Sequence, residues 1–172
     1  MRRRLYSIAL TVATVVGILP PAGLSATFAQ GPLIGRASVI DGDTIEIAGE
    51  KIRFNGVDAP ESWQICVGRS GAEYRCGKAA AEALDGFLAQ SRPTRCDFID
   101  RDRYGRFVGD CYRSDGTGVA AWLVRNGHAL DWQRYSKGAY ASEQAAARLD
   151  RTGMWQGDFE APWDARKARR GN

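Results

Sequence analysis

Histidine is nearly absent: His128 is the only one in 172 residues. It lies just past a helix-stop pattern and reads as a surface or structurally satisfied side chain rather than a catalytic one. The four cysteines form no CxxC pair, so no zinc site is indicated. No internal repeat, heptad run or low-complexity block is present. Nothing beyond the N-terminal segment is apolar for long enough to span a bilayer. Gly71 to Lys78 resembles a phosphate-binding loop only superficially: it has one residue too many before Gly77-Lys78, and Ala79 where Ser or Thr is required.

A decisive charge excess is also missing. The chain carries 24 Lys+Arg against 20 Asp+Glu. Its first 29 residues read as a signal peptide: Arg2, Arg3 and Arg4, an apolar Leu5 to Leu19, Pro20-Pro21, and the small-residue ending Thr27-Phe28-Ala29. A retained anchor is the alternative. Cleavage after Ala29 removes three arginines and leaves 21 basic against 20 acidic side chains, so any polyanion site must come from local clustering. The basic tail Arg166-Lys167-Ala168-Arg169-Arg170 could add a phosphate contact but is expected as a frayed, solvated end.

What remains suits one domain over residues 30–156, with a tail from 157 to 172. Leu33 to Ile40, Thr44 to Ile47 and Lys51 to Val57 read as a three-stranded meander turning at Asp41-Gly42 and Ala48-Gly49-Glu50. A helix follows, with Ala79, Ala80, Ala83, Leu84, Phe87 and Leu88 on one face, stopped by Pro93. Arg95 to Ile99 and Phe107 to Tyr112 form a hairpin. With Asp100 opposite Phe107, Phe98 faces Gly109 and Cys96 faces Cys111. Helices are expected through Val119 to Val124 and from about Ala139 to Asp150, the latter anchored by Leu149. An even cysteine count in an exported chain points to disulfides. Of three pairings, Cys66 with Cys76, closing a short loop, and Cys96 with Cys111, joining neighbouring strands, are favoured. The element order is compatible with an α+β fold, a five-stranded OB-type Greek-key β-barrel with about three packed α-helices, though periodicity leaves other α+β arrangements open.

The meander gathers Asp43, Asp58 and Glu61 at one rim. An all-oxygen carboxylate set suits a hard cation such as Ca²⁺. Arg53 lies five residues before Asp58, an odd step that points the two side chains to opposite faces unless the strand is broken near Asn55-Gly56. A cross-strand pair with Glu46 is the plainer role for Arg53.

Three segments carry a resemblance: Val39-Ile40-Asp41-Gly42-Asp43-Thr44-Ile45, Arg53-Phe54-Asn55-Gly56-Val57-Asp58-Ala59-Pro60-Glu61, and Asp102-Arg103-Tyr104-Gly105-Arg106. In order and separation they resemble the signature segments of the staphylococcal nuclease family, over roughly Ile34 to Met154. The resemblance implies a calcium-dependent nuclease cutting DNA and RNA to 3′-phosphate ends. In that reading Asp43, Asp58 and the Ala59 carbonyl bind Ca²⁺, Asp41 supports the metal loop, Glu61 activates water, and Arg53 and Arg106 bind the scissile phosphate. Arg103 and Tyr104 would contact a terminal phosphate; Tyr135 and Trp132 would neighbour a base. Ala59 departs from a common Thr and Gln133 from a common aromatic. No stable protein partner is implied and a monomer is expected. Two rival readings are a catalytically silent nuclease-fold module binding nucleic acid or protein, and an exported structural scaffold.

Overall fold

A computed structural model describes residues 31–171. The first half runs β1 (Leu33–Gly35), β2 (Ser38–Asp41), β3 (Thr44–Ile47), β4 (Glu50–Phe54), β5 (Val57–Asp58), β6 (Ile65–Val67), β7 (Glu73–Arg75) and α1 (Cys76–Ala89). The second half runs β8 (Thr94–Arg101), β9 (Phe107–Tyr112), α2 (Val119–Arg125), β10 (Leu130–Asp131), α3 (Gln133–Ser136), α4 (Ala141–Asp150), a 3₁₀ turn and α5 (Pro162–Arg170).

The main sheet has the order β1-β8-β9-β4-β3-β2. β1 and β2 are two halves of the one strand expected at 33–40, broken only at Arg36-Ala37. The first half pairs with β8 and the second with β3. The sheet therefore curls until its two ends share a single strand, giving the five-strand circuit of an OB-type fold within an α+β chain. Alternation drives it: Ile45, Ile47, Ile52 and Phe54 are at most 1% exposed. Leu84, Phe87 and Leu88 of α1 and Val119, Leu123 and Val124 of α2 cover this face, each fully buried aliphatic contributing roughly 2 kcal/mol.

Both favoured disulfides form, Cys66–Cys76 and Cys96–Cys111. Cys96 lies opposite Cys111 and Phe98 opposite Gly109, but Asp100 faces Val108 rather than Phe107, because a bulge between Phe98 and Asp100 shifts the register by one. Other expectations are corrected. The late helix starts at Ala141, and Leu149 is 84% exposed, so Ala147 rather than Leu149 is the buried contact. The described residues hold five helices, not about three. Nor is the tail frayed: it is helical to Arg170, with Arg166 half-buried and residues 167–171 exposed. Pro162 and Ala165 of α5 are buried, and Phe159, Ala161 and Trp163 pack against a second apolar cluster that includes Cys66, Cys76, Leu130 and Met154. Val67 N–H donates to the Asp158 carbonyl (2.8 Å) and the Gln64 side chain to the Glu160 carbonyl (2.5 Å), tying the tail to β6.

The expected signal segment, residues 1–29, lies outside the described residues. No helix among those described is long and apolar enough to cross a membrane. Two disulfides suit an oxidising, extracytoplasmic compartment.

Candidate active site

The acid corner starts at the turn between β2 and β3. Asp41 Oδ1 accepts the Asp43 N–H (3.1 Å), a short-range bond that folds the turn and aims Asp43 inward. Asp43 is 4% exposed; its Oδ2 accepts the Ala59 N–H (3.1 Å) and its Oδ1 the Thr44 hydroxyl (3.0 Å). Asp58 is wholly buried at the end of β5, held by pairing with Leu130.

Arg53 joins these two acids. Its register partner is Thr44, and its guanidinium reaches Asp43 Oδ1 (2.8 Å) and Asp58 Oδ1 (2.7 Å) rather than Glu46. The odd spacing is resolved where the strand breaks: β4 ends at Phe54, Gly56 takes φ +74°, and β5 begins at Val57. A side chain at 56 would also collide with Ser136 of α3.

Glu61 sits where the chain passes under the start of α1. Gly77 makes that approach possible, since a Cβ there would overlap the Glu61 carbonyl. The Glu61 carboxylate accepts from Arg166 of α5 (2.8 Å), and Arg166 also donates to Asp58 Oδ1 (3.0 Å) and Oδ2 (2.6 Å). Asp58 thus takes three N–H bonds from two guanidinium groups.

Crowded acids leave an electrostatic signature. Burial, then the neighbouring Asp43 charge, pushes Asp41 up to about 6. Burial also raises Asp58, with Asp43 adding to the rise and Arg166 and Arg53 opposing it. For Arg53, burial acts to lower the pKa, but Asp43 and Asp58 more than offset it and the net shift is upward. These are acids whose mutual repulsion a further cation would relieve.

Arg106 arrives from the hairpin between β8 and β9. Asp102 Oδ1 accepts the N–H groups of Tyr104 (2.9 Å) and Arg106 (3.0 Å), and its Oδ2 accepts Arg106 Nε (2.7 Å). Arg103 and Arg106 lie over the Tyr104 ring, which is 70% exposed. Across the cleft, Trp132 packs edge-on with Tyr135 and lies roughly parallel to Trp163 of α5, ring centroids 6.1 Å apart.

All these groups face one cleft of about 640 Å³, with Asp41, Asp43, Arg53, Glu61 and Arg106 among its walls. Ala59, Arg103, Tyr104, Trp132 and Tyr135 also line it. Asp58 lies beneath, reached through its two arginines. Sequence reasoning named Arg166 only as part of a frayed end that could touch phosphate, and missed Trp163. Their signal was Pro162 at a helix start, Asp164 in the first turn and a basic last turn, a well-formed helix pattern in place of a frayed end.

Residues 51–157 match the protein family described as Staphylococcal nuclease homologue. That span is well over half of the chain and contains Arg53, Asp58, Glu61 and Arg106. The chain belongs to the staphylococcal nuclease family. As a member of the staphylococcal nuclease family it is a phosphodiester-hydrolysing nuclease. It is 56% identical over 141 residues to the "Succinoglycan biosynthesis protein ExoI" of Rhizobium meliloti (strain 1021), an overlap covering 82% of this chain and 74% of that protein. It is 32% identical over 131 residues to an "Uncharacterized endonuclease" of Escherichia coli O157:H7, covering 73% and 78% respectively. With the "Probable staphylococcal-like nuclease CAN2" of Oryza sativa subsp. japonica it shares 30% identity over 122 residues, 70% of this chain but 30% of that protein. Asp41 and Asp43 precede the span matched to the staphylococcal nuclease family, and α5 follows it.

Proposed function

We propose that the protein is an exported, secreted or periplasmic, calcium-dependent endonuclease that hydrolyses DNA and RNA, single strands preferentially, to 3′-phosphate ends. The observation that carries this reading is the meeting of Asp43, Asp58, Arg53 and Glu61 at one end of a cleft that Arg106 enters from another element.

The residues fit a hard divalent ion. Asp43 and Asp58 are buried, all-oxygen donors, and the raised pKa of Asp41 and Asp58 comes first from burial, with the neighbouring Asp43 charge adding to it. Among the described residues no group of three or more His, Cys, Asp or Glu could hold a metal by itself. The Ala59 carbonyl and water would therefore complete a shell begun by Asp43 and Asp58, with Asp41 bracing the turn. When bound, calcium would polarise the phosphodiester and offset charge growing on its oxygens.

The chain's own groups do the rest. Arg53 and Arg106 clamp the phosphate through paired N–H donors and stabilise the five-coordinate transition state. Glu61 takes a proton from water as the water oxygen attacks phosphorus in line with the departing O5′. The P–O5′ bond breaks with Arg106 hydrogen-bonding to the leaving oxygen, which takes its proton from solvent, leaving a 3′-phosphate and a 5′-hydroxyl. Trp132 and Tyr135 offer faces to unpaired bases, and Arg103 and Tyr104 meet a phosphate further along the strand.

The test is cleavage of denatured DNA by the purified protein with chelator, with restored calcium, and with Glu61→Gln. Cleavage should stop with chelator and return with calcium. The Gln variant should lose about 10²–10⁴-fold in kcat with KM changed little, as expected when a general base is removed and the clamp is left. Equal cleavage with chelator removes the calcium dependence, wild-type turnover in the variant removes Glu61, and retained binding without cleavage in every tube favours a silent binding module.

A further inference from the structure

α5 lies beyond the span shared with the family, yet it forms a wall of the cleft. Its burial at Pro162 and Ala165, and the bonds of the preceding residues to β6, fix its position. On its inward side Trp163, Arg166 and Arg170 recur at spacings of three and four, so all three line the cleft. Arg166 has the most to say. Its side chain is 22% exposed, and it makes three charge-assisted bonds to Asp58 and Glu61, one residue proposed to ligate calcium and one proposed to activate water.

Such bonds limit what Asp58 can do. Both of its oxygens are engaged by Arg166, and Oδ1 also by Arg53. A divalent ion ligated by Asp58 either displaces a guanidinium or takes the one remaining lone pair on Oδ2, and in both cases meets the full positive charge of Arg166 in a buried corner, where such repulsion is poorly screened. A guanidinium so displaced stays in the cleft. Its planar fork suits phosphate oxygens, and the Trp132 ring, 5.6 Å from Arg166 and 5.8 Å from Arg53, gives both arginines one aromatic face to move across.

We infer that Arg166 is an exchangeable counter-ion of the reaction centre: it holds Asp58 and Glu61 until calcium arrives, then yields Asp58 and becomes a third phosphate-binding guanidinium. This deepens the calcium-dependent reading above and rests on it. Calcium and phosphate binding are coupled as a result, because the ion alone must displace Arg166 or meet its charge, while the ion together with a phosphodiester gives Arg166 a new anionic partner.

The experiment measures calcium binding by titration calorimetry without nucleotide, and thymidine 5′-monophosphate binding at saturating calcium, for wild type, Arg166→Gln and Arg166→Lys. Arg166→Gln should bind calcium about tenfold more tightly and the nucleotide about tenfold more weakly. Arg166→Lys keeps the charge without the fork, so its calcium affinity should fall between the two while its nucleotide affinity still drops. Calcium affinity that is unchanged or weaker in Arg166→Gln overturns the inference, as does nucleotide binding equal to wild type. If the Gln variant loses its native circular dichroism, Arg166→Lys carries the test, and wild-type values for both ligands in it count against the exchange. Wild type that neither binds calcium nor cleaves defeats the underlying reading as well; wild type that does both while the variants behave identically defeats only the role of Arg166.

Discussion

The cleft has two charged ends built on opposite plans. At the acid corner, Asp43, Arg53, Asp58, Glu61 and Arg166 come from five places along the chain, and the bond between Arg166 and Asp58 spans 108 positions. At the hairpin tip, Asp102 bonds to Tyr104 and Arg106, two and four residues away. The corner is buried, and that burial pushes Asp58 upward; the tip is more open and Asp102 lies below the usual carboxylate range, because the bonds from Arg106 and from the Tyr104 and Arg106 N–H groups outweigh a raising effect of burial. A buried, long-range cluster is held by the whole fold and fails with it. A local clamp can fail alone.

The sharpest break of this contrast is Arg53→Gln. It leaves Asp43 with only the Ala59 N–H and the Thr44 hydroxyl, and Asp58 with only Arg166, and losing one partner of a buried ion pair typically costs several kcal/mol. Because Arg166 still pairs with Asp58, the expected loss is about 2–4 kcal/mol, read from chemical denaturation. Turnover on denatured DNA should fall about 10²–10³-fold as a phosphate donor disappears. A variant as stable as wild type would mean that the corner is not the electrostatic keystone its burial implies.

A smaller effect separates the hairpin's base from its tip. Cys96–Cys111 closes a loop of 15 residues that contains the entire Asp102–Arg106 turn. Replacing both cysteines by alanine should cost about 3 kcal/mol through the freed unfolded chain. The tip's own bonds do not depend on that cross-link, so kcat per folded molecule should change less than threefold. A large kcat loss at temperatures where the variant remains folded would show that the tip is positioned from the base after all.

The same contrast explains what could be read from the residues alone. The hairpin tip, the Cys96–Cys111 register and the α1 and α2 faces depend on alternation, 3.6-residue spacing and turn residues, all local. Asp43, Asp58 and Arg53 were legible as a set through the resemblance, and their convergence hinged on a break near Gly56 that glycine made permissible. Arg166 was not legible in its role. Its helix was, from Pro162 and the charge order, but nothing local says that the helix docks on the Cys66–Cys76 ribbon and points an arginine at Asp58. The split of the first strand was hidden for the same reason: Arg36-Ala37 carries no turn signal, and only closure of the sheet assigns its two halves to different neighbours. Leu149 erred the other way, an apolar residue at a plausible position left on the solvent side of α4.

The mildest prediction addresses the tip directly. Asp102→Asn keeps the shape and removes the charge that orients Arg106, so turnover should drop about tenfold from misplacement of one phosphate donor while stability changes by about 1 kcal/mol, as for a half-buried pair that water still screens. Its pH dependence has a definite sign. A carboxyl whose folded pKa is depressed binds fewer protons folded than unfolded, so its contribution is complete above the ordinary Asp value of 3.8 and disappears as pH falls through the folded pKa. Wild type and Asp102→Asn should therefore differ by a constant small amount from pH 9 to about 5 and converge below about 4. Thermal melts of the two proteins across that range check it. A difference that instead grows on acidification would place Asp102 with the acids of the buried corner and erase the distinction between the two ends of the cleft.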